Sequence, residues 1–242
     1  MQIRKILMNI YYKEEFNPKF IGLFLPDYFM AKELHRNMLE LTPKLKGRLL
    51  DIGCGSKPYK SMCTNVDEYL GIEIDDEYPL EKTQADYLYD GKVMPLDNNS
   101  FDCALSSEVL EHVFDPDVFL REANRVLKID GLFLITNPFL FREHGQPFDY
   151  ARYTSFGLEH ILKKHGFEVV EKIKTGNGIE VIFQMLSNFL FRAFKLKFPL
   201  VLIVFLFIFP INLIGLVLSK ILPRHNDMFL GNIFLVKKVR DL

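Results

Sequence analysis

The stretch LLDIGCGSKPY, residues 49–59, decides the fold of this chain. Its apolar start is typical of a short buried strand, which runs into a turn containing Gly53 and Gly55. Dinucleotide sites carry G-x-G-x-x-G at such a turn, because the backbone and a helix N-terminus must approach a pyrophosphate. Here the third glycine is missing, and the Asp51 carboxylate stands just ahead of Gly53. A carboxylate repels pyrophosphate, so the stretch predicts a ligand that carries positive charge and no phosphate.

Strand and helix signals alternate from Arg48 onward. One helix has a clear start signal at 115–117, and Thr154 or Ser155 is expected to cap another. The alternation predicts an α/β fold with a parallel sheet and helices on both faces. The predicted strands are 48–52, 69–74, 83–86, 101–106, 131–136, one that begins at 166–170, and 232–237.

Further motifs follow the glycine turn in order. Glu73 ends the second strand, 20 residues after Gly53, which is the usual distance of an acid that binds ribose hydroxyls. The other motifs are Ala85-Asp86 and the runs 94–113 and 125–136. Taken together, these motifs resemble the class I S-adenosylmethionine-dependent methyltransferases, and within them the type 11-like group that acts on small molecules, sugars and lipids. The resemblance is close over residues 49–138 and looser beyond them.

The resemblance implies a Rossmann-like, seven-stranded, mostly parallel sheet with an antiparallel last strand, and S-adenosyl-L-methionine as cofactor. It places Asp51 near the amino group of this methyl donor, although a turn-capping aspartate is the alternative interpretation. Gly53 and Gly55 would let the backbone approach the donor, while Lys57 departs from the small residue common in the family. The other implied donor contacts are Glu73 to the ribose (with Asp75 and Asp76 as substitutes), Asp86 to the adenine amino group, and Ser106 beside the methionine part.

Glu108, Glu111 and His112 follow the fourth strand. Their spacing predicts that all three lie on one side of a helix start. Three interpretations stay open. His112 is a general base for the acceptor; the three side chains hold a divalent cation, as in some quinone methyltransferases that this segment resembles; or they are an acid pair with a packed histidine. No other metal-ligand cluster is visible in the sequence, and we predict no metal.

The loop after the fifth strand is the predicted acceptor contact, because ligands of such sheets bind at the carboxyl edge. The loop carries hydrogen-bonding and aromatic side chains, and its Asp-Tyr-x-Arg-Tyr-Thr run resembles methyltransferases of bacterial surface polysaccharides. The alternative is that Arg152 only pairs with an acid and Tyr150 only packs. The loop residues of interest are His144, Asp149, Tyr150, Arg152 and Tyr153, and the predicted catalytic residues are His112, His144 and Tyr153.

A long apolar segment, FPLVLIVFLFIFPINLIGLVLSKIL at 198–222, precedes the last strand. It is long enough to span a bilayer, but Pro210 and Asn212 interrupt it, and the chain must return to its sheet. Basic residues flank both ends. We therefore predict an apolar helical hairpin, inserted at about 186–224, that lies in a membrane surface rather than crossing it. The alternatives are packing on the chain's own core or a homodimer contact.

Composition limits the remaining function classes. The 242 residues allow N-terminal helices at 1–47 and one methyltransferase domain at 48–242. The net charge of −1 argues against nucleic acid as a partner. The three cysteines form no C-x-x-C pair and residues 1–12 are not typical of a secretory signal, which favours a cytoplasmic, peripherally membrane-associated protein.

The predicted reaction is O-methylation of a sugar or a lipid-linked glycan at the cytoplasmic membrane face. A methyltransferase for a quinone or another lipid head group is the nearest alternative, and an apolar acceptor pocket near His112 would favour it. A non-catalytic scaffold that keeps the fold is the alternative of a different class, and failure to bind the donor would favour that.

Overall fold

The computed structural model describes residues 16–75, 83–193 and 201–242, with only the backbone for residues 201–205. The start of the predicted N-terminal helices and the substitute acid Asp76 lie outside these residues. Contacts divide the chain into two compact units. The first unit combines residues up to 37 with 140–142 and 174–231, and the second combines 38–139, 143–173 and 232–242.

Seven strands form one sheet in the order β3-β2-β1-β4-β5-β7-β6. The strands are β1 (Gly47–Ile52), β2 (Val66–Ile74), β3 (Tyr87–Tyr89), β4 (Phe101–Ser107), β5 (Leu127–Pro138), β6 (Phe167–Thr175) and β7 (Gly231–Lys238). β1 to β5 pair in parallel. The Val239 N–H donates to the Gly166 oxygen, and the Leu230 N–H donates to the Thr175 oxygen. β6 and β7 are therefore antiparallel, and the predicted fold class is confirmed.

Five α-helices lie among the described residues: α1 (Tyr28–Leu41), α2 (Pro116–Val126), α3 (Ser155–Lys164), α4 (Gly178–Ala193) and α5 (Val201–Ile221). The predicted start of α2 is confirmed, because the Asp115 carboxylate accepts from the backbone N–H groups of Asp117 and Val118. Thr154 caps α3 by accepting from the Gly157 N–H. These local signals place both helix starts correctly.

Two strands differ from their predicted positions. Residues 83–86 do not form β3, because Thr83 and Gln84 instead donate to the Gly55 oxygen in the glycine turn. The third strand begins only at Tyr87. β5 begins at Leu127, directly after α2 and before the predicted start at 131. It contains a bulge at Asp130, where the register with β4 shifts.

The core of the second unit lies where α2 and α3 cover the sheet. Phe119 and Leu120 of α2 and Leu158 of α3 pack with strand residues such as Phe101 and Phe133. These side chains are fully or almost fully buried. The apolar faces that the helical spacing predicts therefore hold the helices on the sheet.

In the first unit, α4 and α5 form a helical hairpin that packs against the N-terminal segment. The predicted break at Pro210 is wrong, because α5 is one continuous helix that contains this proline. Asn212 is buried: its side-chain amide donates to the oxygens of Leu23 and Leu25 and accepts from Ser187 of α4. Within the described residues, no helix combines the length and the apolarity that crossing a bilayer requires.

We expect Lys238→Met to lower the free energy of unfolding by about 1–3 kcal/mol. The fully buried Lys238 ammonium donates to the backbone oxygens of Asn124 and Leu127 and to the Asn99 side chain. The substitution leaves these acceptors without a donor. Urea denaturation measures the effect.

The neighbouring Lys237→Met is the matched control. Among the described residues, Lys237 forms an ion pair with the exposed Asp130 carboxylate, at 3.3 Å. This change should alter stability by less than about 0.5 kcal/mol. Equal losses in the two variants would contradict a structural role for the Lys238 ammonium.

Candidate active site

The candidate site lies at the carboxyl edge of the sheet, where ligands of such sheets bind. β4 lies between β1 and β5, and the register places Asp51 beside Leu105 and Ser107 beside Thr136. The strand ends therefore bring the predicted donor residues and the segment after β4 to the same edge. The loop after β5 begins at this edge as well.

The Asp51 carboxylate is buried at the end of β1 and accepts a hydrogen bond from the Tyr69 hydroxyl at 2.6 Å. Burial raises the pKa of Asp51 to about 7, although the Tyr69 bond opposes this. Sequence reasoning missed Tyr69. Its register partner Leu49 lies two residues before Asp51, on the same face of the sheet, so strand pairing would have revealed it.

The two glycines of the turn serve different purposes. Gly53 has a φ of +74°, and a Cβ there would lie 2.4 Å from a methyl carbon of Val109. Gly55 has a φ of +47°, yet no atom of the described residues lies within 4 Å of the position of its Cβ. Gly53 is thus needed for close packing within the fold, whereas Gly55 borders open space.

Glu73 is held against this turn. Its carboxylate accepts from the Gly55 N–H at 3.0 Å and from the Ile74 N–H at 3.1 Å. The open space at Gly55 thus has one acid at its rim and a second, Asp51, buried at the end of the neighbouring strand. An ammonium group and ribose hydroxyls are the groups that such acids bind, so these residues fit S-adenosylmethionine.

Asp86 ties the turn to β2. Its carboxylate accepts from the Lys57 ammonium and from the Gly71 N–H. Burial opposes ionisation of Asp86, but these two bonds keep its pKa below the usual value. Lys57, which departs from the family pattern, has a φ of +55° and a nearly buried side chain. The contact of Asp86 with adenine stays a prediction.

Ser106 lies near the end of β4, and its hydroxyl is fully buried. In the part of the chain that the structure describes, this hydroxyl has no hydrogen-bond partner. Buried hydroxyls are normally satisfied, so an unpaired one beside a site favours a ligand partner. The location agrees with the predicted contact to the methionine part of the donor.

The segment after β4 is not the predicted helix start. Glu108 has a left-handed φ of +56°, and only a short 3₁₀ turn, Leu110–His112, follows. β4 pairs with β5 as far as Ser107 and Thr136, and the Thr136 hydroxyl donates to the Glu108 carboxylate at 2.9 Å. Glu108 therefore points to β5, and the predicted grouping of Glu108 with Glu111 and His112 on one helix face is wrong.

The loop after β5 brings His144 to His112. The two imidazole rings are 4.8 Å apart between their centroids and nearly perpendicular. Gly145 permits this approach, because a Cβ there would lie 2.8 Å from a ring carbon of His112. The loop is anchored by the N–H groups of Tyr150 and Ala151, which donate to the Glu111 backbone oxygen.

The Glu111 side chain lies fully buried between the two histidines. The Nε2 atom of His144 is 3.5 Å from Glu111 Oε1, and the Nε2 atom of His112 is 3.8 Å from it. Burial raises the pKa of Glu111 and also that of Glu108, where the Glu111 charge adds to the effect. Among the described residues, Glu111, His112 and His144 are the group that could hold a metal ion.

The other loop residues have different surroundings. Asp149 accepts from Arg152 and from the His144 backbone N–H, and although burial opposes it, these bonds lower the pKa of Asp149 to about 2. The Tyr150 ring packs edge-on against Phe114 and stays half exposed. The Tyr153 ring packs against the core, so its predicted catalytic role rests on the sequence alone.

The chain is similar in sequence to known methyltransferases over part of its length. Residues 50–135 match the family model described as a methyltransferase domain. Over 100 residues, 36% of the chain, the sequence is 33% identical to a ubiquinone biosynthesis O-methyltransferase of Pelagibacter ubique, covering 40% of that protein. Over 152 residues, 57% of the chain, it is 27% identical to a probable S-adenosylmethionine-dependent methyltransferase of Mycolicibacterium smegmatis, covering 59% of it. The chain thus spans less than two thirds of these relatives.

Among solved structures, a phosphoethanolamine N-methyltransferase 2 of Haemonchus contortus in complex with S-adenosyl-L-methionine has the same fold. The TM-score is 0.53 at 17% identity, over 95% of this chain and 59% of that one. The predicted resemblance is confirmed over residues 50–135, which match a methyltransferase domain, and the fold is that of the class I S-adenosylmethionine-dependent methyltransferases.

We expect Gly55→Ala to weaken binding of S-adenosylhomocysteine at least about tenfold, because a side chain there enters the open space at the turn. The left-handed φ should lower stability by only about 1 kcal/mol. Calorimetric titration and thermal unfolding measure the two effects.

Gly53→Ala is the contrasting variant. Its Cβ collides with Val109, so it should mainly destabilise the fold, by about 1–3 kcal/mol. If Gly55→Ala binds the ligand normally, the space at Gly55 is not part of the donor site.

Proposed function

We propose that this chain, a class I methyltransferase over residues 50–135, O-methylates a sugar or a lipid-linked glycan at the cytoplasmic face of a membrane. The observation that carries the proposal is the proximity of His112, His144 and Glu111 at the sheet edge that also holds the donor residues. A bound donor supplies an electrophilic methyl group on a sulfonium. The protein's own residues then have to orient both substrates and handle the proton of the acceptor hydroxyl.

Asp51 and Glu73 are proposed to orient the donor, through its ammonium group and ribose respectively. The ammonium favours the ionised form of Asp51, which burial otherwise disfavours. Gly55 keeps the turn open, and the unpaired hydroxyl of Ser106 binds the methionine part. None of these residues has to bear new charge during transfer, because the sulfonium sulfur leaves as a neutral thioether.

The acceptor is proposed to be a hydroxyl held beside the two histidines. His112 Nδ1 is 2.6 Å from the Phe148 backbone oxygen, so this nitrogen carries a proton and Nε2 has a free lone pair. The name of the Pelagibacter ubique relative, an O-methyltransferase, supports oxygen as the acceptor atom. The same name favours a quinone as the second candidate acceptor. The charged Asp149 and Arg152 beside the pair favour a polar acceptor instead.

The membrane part of the proposal rests on the hairpin, whose helices bury several polar side chains and expose large apolar ones. α4 buries Gln184, Ser187 and Asn188, while Ile182 and Phe189 on its other side are exposed. In a helix of a water-soluble protein the apolar stripe faces the core. α4 therefore differs from such a helix, because it has polar side chains buried beside Val181 and large apolar side chains exposed.

α5 shows a similar arrangement. Its buried positions among the described side chains are Ile208, Asn212, Gly215 and Ser219, at helical spacing. Its outer face carries large apolar side chains, with Leu206 65%, Phe207 63% and Ile214 51% exposed. The two outer faces belong to the same packed helix pair, which exposes more apolar surface than single scattered residues do.

A lipid bilayer is the occupant that this surface fits best. Arg192 at the end of α4 and Lys220 and Arg224 near the end of α5 are exposed cations that would meet anionic head groups. The buried polar side chains hold the two helices to the rest of the unit. The exposed apolar face can then enter the interface of the bilayer without crossing it. A homodimer contact through the same face is the alternative, and vesicle binding distinguishes it from membrane docking.

We expect His144→Asn and His112→Asn each to lower the rate of methyl transfer about 100-fold or more, because proton handling at the acceptor is lost. Donor affinity should stay within about twofold, because neither side chain belongs to the proposed donor contacts. The assay follows the labelled methyl group of S-adenosylmethionine into lipid and water-soluble extracts of the organism that encodes the chain.

Nuclear magnetic resonance of the product locates the methyl group. A methoxyl group on a sugar carbon supports the proposal, whereas one on an aromatic ring supports the quinone. His160→Asn, an exposed histidine on α3, is the control and should be fully active. Activity retained in both His112→Asn and His144→Asn would remove the cluster from the reaction.

We expect the protein to float with vesicles of phosphatidylglycerol and phosphatidylethanolamine, and Phe207→Glu/Ile214→Glu to lose at least about tenfold in partitioning. Ile129→Glu/Val170→Glu is the matched control, with half-exposed apolar residues outside the hairpin. Self-association without vesicle binding, lost only in the hairpin variant, would identify a dimer contact and contradict membrane docking.

A further inference from the structure

One side-chain cluster of the candidate site has the geometry of a metal centre. Glu111, His112 and His144 each offer one ligand atom, and the three atoms lie within 4.8 Å of one another. A tetrahedral zinc ion with bonds of about 2.1 Å sets its ligand atoms ~3.4 Å apart. Glu111 Oε1 lies 3.5 Å from His144 Nε2 and 3.8 Å from His112 Nε2, which is close to that spacing.

Both imidazoles are already oriented as metal ligands are. His112 Nδ1 is 2.6 Å from the Phe148 backbone oxygen, and His144 Nδ1 is 3.4 Å from the Asp149 carboxylate. A histidine that ligates a metal gives its second nitrogen to a carbonyl or a carboxylate, as His112 does here through its bond to the Phe148 oxygen. The Nε2 atoms of both rings lie near the same oxygen of Glu111.

Glu111 provides the second and independent observation. Its side chain is fully buried, and neither carboxylate oxygen has a hydrogen-bond partner among the described residues. A buried carboxylate without a hydrogen bond is destabilising unless a cation or a proton compensates it. The distances to the two imidazoles are too long for direct hydrogen bonds.

We propose that Glu111, His112 and His144 bind one divalent first-row transition-metal ion, with zinc as the representative. Two imidazole nitrogens and one carboxylate oxygen suit such an ion, whereas magnesium and calcium prefer oxygen ligands alone. Glu108 accepts from the Thr136 hydroxyl and is not one of the residues whose ligand atoms converge. Three protein ligands leave a coordination position open, as in catalytic rather than structural zinc sites.

The role of the ion rests on the proposed function, but the site itself does not. An oxygen acceptor at the open position would lose its hydroxyl proton more readily, because a bound cation stabilises the alkoxide. The proton passes to solvent, the oxygen bonds to the methyl carbon, and the carbon–sulfur bond breaks with its electron pair going to sulfur. With the ion bound, the two histidines would act on the proton of the acceptor through the ion, so that proton handling still depends on both.

The test is a calorimetric titration of the full chain, freed of metal and of any histidine tag, with Zn²⁺ in the absence of donor. We expect one equivalent to bind, and Co²⁺ to give the absorption of a nitrogen- and oxygen-ligated ion. Glu111→Gln, His112→Ala and His144→Ala should each weaken Zn²⁺ binding at least about 10–100-fold. His160→Ala, on the exposed side of α3, should bind Zn²⁺ as the wild type does.

Several results would overturn the proposal. These are no Zn²⁺ binding by folded wild-type protein, equal binding by the His112→Ala/His144→Ala double variant, or stronger binding of Mg²⁺ than of Zn²⁺ and Co²⁺. Glu111→Gln is nearly isosteric, so it keeps the test decisive if the alanine variants do not fold. The titration uses no donor, so its failure is distinguishable from a failure of the methyltransferase proposal, which donor binding reports.

Discussion

The parallel pairing of β1 between β2 and β4 is the constraint on which the rest of the site depends. It brings the carboxyl ends of these strands to one edge, so that Asp51, Glu73 and Ser106 lie at neighbouring strand ends. The Asp51 carboxylate is thereby buried with only a tyrosine hydroxyl as its hydrogen-bond partner among the described residues. A buried carboxylate favours a cationic ligand, which links the geometry of the sheet to the chemistry of the donor.

The same edge carries a second buried carboxylate, Glu111, in surroundings of a different kind. Asp51 has a hydroxyl partner and adjoins the glycine turn, whereas Glu111 has two imidazole rings beside it. Two close approaches define these surroundings, one of Val109 to Gly53 and one of His112 to Gly145. A side chain at either glycine would separate the segments that form the site.

Most of the fold could be predicted from the sequence, because it depends on local signals. The apolar spacing, the caps Asp115 and Thr154 and the glycine turn are all readable without contacts. The third strand was misplaced because Thr83 and Gln84 bond to the glycine turn, which is a tertiary effect. The continuity of α5 through Pro210 was also missed, because its support comes from the packed partners of Asn212.

The candidate site was predictable only in part for the same reason. The donor acids follow strands at fixed spacing, so their positions were readable, and the family match covers them. Tyr69, Thr136 and the pairing of Lys57 with Asp86 depend on strand register and on backbone conformation. The meeting of His112 with His144, 32 positions apart in the chain, depends on the path of a loop that no spacing rule describes.

The central claim is that Asp51 and Glu73 form the donor site of a methyltransferase. Calorimetric titration with S-adenosylhomocysteine, at about pH 8 and about pH 6, tests it most directly. Because burial raises the pKa of Asp51 to about 7, and the ligand's ammonium needs the ionised form, binding should be in the micromolar range at the higher pH. It should be about tenfold weaker at the lower pH.

Asp51→Asn should bind weakly and without this pH dependence, and Glu73→Gln should also bind weakly. No binding by well-folded wild-type protein would contradict the account and favour a scaffold that keeps the fold without catalysis.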